Sequence, residues 1–126
     1  MAKAALGMSK QALVNVLTGS AALFGVTGLL APRALEVTYA VPPSPYTTQL
    51  LRLFGSRMLA IAAWSFTART KEETDRVLTV AAAVNLVDVL TALAAARATG
   101  MTTAGRAAAT SGVFAALAFA VRSLED

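Results

Sequence analysis

The chain has 126 residues, 56% of them hydrophobic and only 14% charged, with a mean hydropathy of +0.62. That length bounds it to one domain, and a charge content well below the roughly 25% of an average soluble domain excludes an ordinary water-facing surface on so small a protein. It has no cysteine, which excludes disulfides and thiolate metal sites, no histidine, which excludes imidazole ligands and the usual proton shuttle, and a net charge of +4 spread between apolar runs rather than gathered into a nucleic-acid patch.

The first element predicted is a helix over residues 11–31, uncharged throughout and long enough to cross about 30 Å of hydrocarbon before Pro32 stops it. Lys3 and Lys10 ahead of an apolar run also suit a signal peptide. Such a core, however, is roughly 7 to 15 residues long and closes on a small-residue cleavage site.

Next comes the longest connection, APRALEVTYAVPPSPYTTQ. Pro42, Pro43 and Pro45 predict extended or turn backbone here rather than helix. Tyr39 and Tyr46 suit the headgroup level, and Glu36 either faces water, the favoured expectation, or folds back over the mouth of the helices.

A second helix is expected over 50–68, where Arg52 and Arg57 oppose insertion and call for a partner. A short charged connection follows, with Thr74 and Asp75 expected to cap a third helix over 77–96 that contains Asn85 and Asp88. The fourth, 107–121, is short for a crossing, and lengthening it to Met101 takes in Arg106. Ala108, Gly112 and Ala116 make a small-residue seam on it. The last two runs are alanine-rich, so a soluble helical bundle is their alternative, opposed by a first run with no polar face.

The expected fold is therefore all-α: residues 1–126 as a single integral membrane four-helix bundle, up-down in topology. Lys3, Lys10, Arg69, Lys71, Arg76 and Arg122 lie on one side, against Arg33, Arg52, Arg97 and Arg106 on the other. The excess of basic residues puts both termini in the cytoplasm, with the cell inner membrane as the expected setting and anionic lipid headgroups as partners.

Depth gives Asp88 a partner. Arg57 lies eleven residues before Ala68 and Asp88 eleven after Val77, so both sit about 16 Å from the face that carries the tight connection. Intramembrane charges turn inward and find one another, which predicts an Arg57–Asp88 ion pair, direct or through one water. Asn85, Asp88, Thr91 and Ala92 share one helix face, Arg57 shares another with Ala60, Ile61 and Trp64, and Asn15, Thr18, Ala22 and Gly25 form a third stripe, together predicting a small polar chamber. Asp88 and Arg57 are the candidate catalytic pair. Asn85, Trp64, Arg52, Asn15 and Glu36 are candidate substrate contacts, and a purely structural network fixing helix register is the alternative.

RLFGSR, with Arg52, Gly55 and Arg57, NLVD, with Asn85 and Asp88, and APRA after the first run resemble the small tetraspan DoxX-like membrane proteins over roughly residues 10–122. The resemblance implies a four-helix bundle and relatives that include quinone-linked oxidoreductase subunits and membrane enzymes of lipophilic metabolites. Two function classes follow. One is an isomerase or cyclase that needs no metal or nucleotide cofactor, with Asp88 as acid or base toward a lipophilic substrate. The other is a non-catalytic membrane subunit or carrier docking a partner protein, or a second copy of itself. Without a phosphate loop or a nucleophilic cysteine, hydrolase, transferase and dehydrogenase readings fall away, and a single matched pair offers no charged path for ions.

Overall fold

A computed structural model of the chain describes residues 4, 5 and 7–124; Lys3, counted above with the cytoplasmic set, lies outside them. The described chain is almost wholly helical. A two-residue hairpin precedes the helices, β1 (Ala4–Ala5) pairing antiparallel with β2 (Met8–Ser9) around Gly7 at φ +73°, a conformation glycine adopts without steric cost.

Ser9 then caps α1 (Lys10–Leu30), its side chain accepting from the Ala12 amide at 3.2 Å. Ala31 ends α1, and Pro32 opens a second, short helix, α2 (Pro32–Thr38), which the reading of this segment as a non-helical connection does not anticipate. The three later prolines lie beyond it. Pro45 opens α3 (Pro45–Thr67) instead of barring it. At the first helical position the missing N–H had no intrahelical partner to lose, and the Ser44 side chain accepts from the Thr47 amide at 3.0 Å. The helix therefore starts five residues before position 50.

α4 (Lys71–Ala94) also begins earlier than expected. Its cap is not Thr74 with Asp75 but a capping box, in which Thr70 accepts from the Glu73 amide at 3.1 Å and the Glu73 carboxylate reaches back to the Thr70 amide at 3.2 Å. A single turn, α5 (Ala96–Thr99), and Gly100 at φ +93° lead into α6 (Met101–Arg122). That helix does run from Met101 through Arg106, whose guanidinium donates to the Thr38 carbonyl at 3.0 Å.

α1, α4 and α6 are each long and apolar enough to cross a membrane. α3 is as long, but Arg52 and Arg57 interrupt its apolar stretch. Much of the apolar surface faces outward: Leu30 is 81% exposed, Phe119 69% and Leu23 67%, with Leu86, Val87 and Leu90 also exposed on α4. An exterior of this kind fits a protein surrounded by lipid and not the soluble Ala-rich alternative, which needs polar groups there.

The principal packing is α1 on α3 and α4 on α6. Along the first pair the contacts run in opposite order: Thr18 meets Ser65 at 2.7 Å, Gly25 meets Leu59 and Gly55, and Gly28 meets Leu51, so the helices are antiparallel. Glycine sets their separation. A Cβ on Gly55 would stand 2.6 Å from the Gly25 carbonyl oxygen, and one on Gly28 2.7 Å from that of Leu51. The expected seam on α6 is looser. A Cβ on Gly112 would meet Val89 at an ordinary 3.8 Å, and Ala116 is exposed. Val14, Leu78, Ala118 and Val121 form one core cluster, joining α1, α4 and α6, while Ala21, Met58 and Ala62 form a second between α1 and α3.

Candidate functional site

Arg57 reaches from α3 to Asp88 on α4, placed opposite each other because the three-residue connection of Ala68, Arg69 and Thr70 makes the helices antiparallel neighbours. The contact is bidentate: Nη2 donates to Oδ2 at 2.7 Å and Nη1 to Oδ1 at 3.2 Å. Two parallel bonds match the planar fork of a guanidinium to a carboxylate and fix both side chains in orientation. The Phe54 ring supports the guanidinium from one turn earlier, its centroid 5.5 Å from Cζ. On α4, the Thr91 hydroxyl donates to the Asp88 carbonyl at 3.1 Å.

The pair is not sealed. Arg57 and Asp88 line an open cleft of about 420 Å³ between α3, α4 and α6, walled by Leu50, Leu51, Phe54 and Ala92. The side chains retain 41% and 22% of their accessible surface. A site of this form, apolar walls around a few convergent polar groups, is the usual form of a small-molecule pocket.

Three polar cleft residues escape the sequence reading of the chamber: Tyr39, Thr103 and Ser111. Thr103 lies ahead of the expected start of the fourth helix, and its hydroxyl donates to the Ala40 carbonyl at 2.9 Å, tying the end of α2 to α6. Tyr39, one of the two tyrosines expected at the headgroup level, is 8% exposed. Burial raises its phenol above the ordinary value, partly offset by a hydrogen bond with Thr110.

The remaining candidates disperse. Asn85 is buried, but it donates to the Ala81 carbonyl at 2.8 Å and lines a different, small cavity of about 40 Å³ that it shares with Thr18 and Ser65. The expected polar chamber is thus divided in two, since residues three apart on a helix diverge by about 60°. Asn15 is exposed and accepts from Gln11 at 3.0 Å; its neighbours Val14 and Thr18 turn inward in its place. Trp64 is 38% exposed and lines neither cavity.

No family model, curated protein or solved structure matches this chain. The DoxX-like resemblance accordingly has its short motifs alone behind it.

Arg52 stands apart from Arg57, because five residues turn a helix through about 140°. It lines a third cavity, with Arg33 and Glu36. Glu36 does not face water as expected: it is 4% exposed, because α2 lays that face against the neighbouring helices. Lys10, counted among the basic residues of one face, is a further buried charge. It is 2% exposed, and its ammonium donates to Asp75 at 2.6 Å and to the Leu124 carbonyl at 3.0 Å. A lysine one residue ahead of an apolar run gives no sign that it will be covered, because what covers it comes from the far end of the chain.

Proposed function

We propose that this chain is a four-span, up-down membrane protein of the DoxX-like kind, set in the inner membrane with both termini cytoplasmic. In this reading a lipophilic molecule enters the Arg57–Asp88 cleft from the bilayer. The observation that carries it is a bidentate ion pair lining an open, apolar-walled cleft, where a register lock needs no access. The three apolar helices and the outward-facing leucines and phenylalanine support the membrane setting. α3 becomes the fourth span because its Arg57 charge is met by Asp88 and Arg52 lies within reach of the headgroups.

The chemistry available is proton transfer. A substrate carbonyl that draws Arg57 to itself frees the Asp88 carboxylate to take a proton from the adjacent carbon, while the guanidinium stabilises the negative charge of the resulting enolate. The Asp88 carboxyl then returns that proton: to a different carbon, which completes an isomerisation, or to the group left charged when the enolate attacks an electrophile within the same molecule, which completes a ring closure. The test is Asp88→Asn in the full chain, purified in mild detergent, with organic extracts compared by mass spectrometry. The expected result is a normally folded variant that loses a lipophilic compound retained by the parent, together with the cellular phenotype of the intact protein. A folded Asp88→Asn with an unchanged extract and phenotype would overturn the reading.

One observation favours a second reading, a non-catalytic subunit or carrier. Ala82, Ala83, Leu86, Gly112, Ala116 and Phe119 line an open apolar groove of about 730 Å³ between the outer sides of α4 and α6. A helix of a partner membrane protein, such as a quinone-linked oxidoreductase, would pack there by close backbone approach. Photo-crosslinking from position 116 distinguishes it, since an enzyme acting alone yields lipid adducts only.

A further inference from the structure

The cavity holding Glu36 has no part in the Arg57–Asp88 reading, and its chemistry is unusual. Glu36 is almost fully covered, yet its Oε2 has no hydrogen-bond partner. A buried acceptor left unsatisfied costs roughly 1 to 3 kcal/mol, more when charged, so its position next to a cavity calls for a donor arriving from outside the chain. Arg33 and Arg52 line the same cavity of about 550 Å³ with Gln49, and both arginines are exposed. Among the described residues neither forms an ion pair with Glu36, although Arg33 stands three residues away on the same short helix. Two guanidiniums and one carboxylate around a common space, none paired, suit a molecule that places an anion on the arginines and a proton donor on Glu36.

We propose that Arg33, Glu36 and Arg52 form a headgroup site for a phosphodiester that carries a hydrogen-bond donor, the chemistry of a phosphatidylglycerol head. The arginines take the phosphodiester oxygens, for which their planar donor fork is suited. A headgroup hydroxyl donates to Glu36 Oε2. Formal charge supports a hydroxyl over an ammonium: two arginines and one glutamate leave a net charge of +1, which one phosphodiester neutralises and a zwitterionic head does not. The site's location also fits. It sits where α2 meets the first turns of α3, at the end of the long helices, which the membrane setting proposed above brings to the headgroup layer on the non-cytoplasmic side. The inference rests on the membrane setting proposed above but not on any chemistry at Asp88.

Native mass spectrometry of the full chain in detergent tests it, with phosphatidylglycerol and phosphatidylcholine of identical acyl chains in competition. The choline head has no proton to donate. Phosphatidylglycerol should be retained about fivefold over phosphatidylcholine, the ratio one net hydrogen bond supports. Glu36→Leu should bring that ratio close to one while raising the melting temperature, because an unsatisfied carboxylate is replaced by an apolar group. Arg33→Gln with Arg52→Gln, at exposed positions, should lower phosphatidylglycerol retention about tenfold without loss of fold. Equal retention of the two lipids together with equal binding of their soluble head groups, or unchanged phosphatidylglycerol retention in the double arginine variant, overturns the proposal. A parallel arm uses soluble glycerophosphoglycerol and glycerophosphocholine, detected by saturation-transfer NMR. Selective binding of the free diester with no lipid preference keeps the site but removes the membrane reading, so the two failures are distinguishable.

Discussion

Lys10 and Asp75 join the start of α1 to the second turn of α4, 2.6 Å apart, and the same ammonium also reaches the Leu124 carbonyl just past the end of α6. One cation thus ties three helix ends together. Lys71 holds the other Asp75 oxygen at 3.0 Å.

Removing Lys10 is therefore expected to damage the fold more than its position near the chain's beginning suggests. Lys10→Met leaves a covered carbonyl without its donor and Asp75 with only the exposed Lys71, and should cost about 3 kcal/mol, the lower end for breaking a buried pair. Combining it with Asp75→Asn should recover part of that loss. Detergent-titration unfolding of the two single variants and the double variant measures the coupling, and strict additivity would show that the pair is not coupled.

Removing the guanidinium leaves the Asp88 carboxylate without a partner in the cleft, at a cost of roughly 2.5 to 3.5 kcal/mol if it is central in a bilayer, whereas Asp88→Asn keeps an amide oxygen to which Arg57 donates. Arg57→Met should accordingly lower the folded yield on size-exclusion chromatography. The exchange Arg57→Asp with Asp88→Arg should restore much of it, since opposite charges again face each other. An Arg57→Met variant as abundant as the parent would mean that the pair contributes nothing to assembly.

The glycines of α1 and α3 separate from that of α6 by the same measurement. Gly55→Ala places a methyl group against the Gly25 carbonyl and should destabilise by about 1 to 3 kcal/mol, the range for overpacking. Gly112→Ala meets only Val89 at contact distance and should be neutral or stabilise by roughly 0.5 to 1 kcal/mol through helix propensity. Thermal denaturation in detergent ranks the two, and the reverse order would refute the packing of α1 on α3.

Tyr39 supplies a pH dependence. Burial raises its phenol above the ordinary tyrosine value, so the folded chain holds the proton longer than the unfolded one. The stabilisation is full below the unfolded value and is lost as pH rises through the folded one. In a Tyr46→Phe background, which leaves one tyrosine, ultraviolet titration of tyrosinate should show a midpoint above the ordinary value, with unfolding promoted across that same interval. A midpoint at or below it would place Tyr39 in water.

Some of this was legible in the residues themselves. Apolar runs of helical length set the number and rough place of the long helices, because a helix satisfies its own backbone hydrogen bonds wherever water is excluded. Counting residues from the short connection was enough to pair Arg57 with Asp88, because helical rise converts sequence distance into depth. Helix starts were less legible. Pro45, Thr70 and Met101 begin helices several residues before the apolar runs do, since capping and the first turn are polar by nature.

What only the tertiary structure decided depends on segments distant in sequence. Asn85 and Asp88 belong to one helix face by spacing, yet they line different cavities because different neighbours meet that face. Glu36 and Lys10 are covered by parts of the chain whose arrival their local sequence does not announce. Periodicity specifies which way a side chain leaves its own helix, whereas burial depends on what the rest of the chain brings to that side, and that is fixed only when the helices pack.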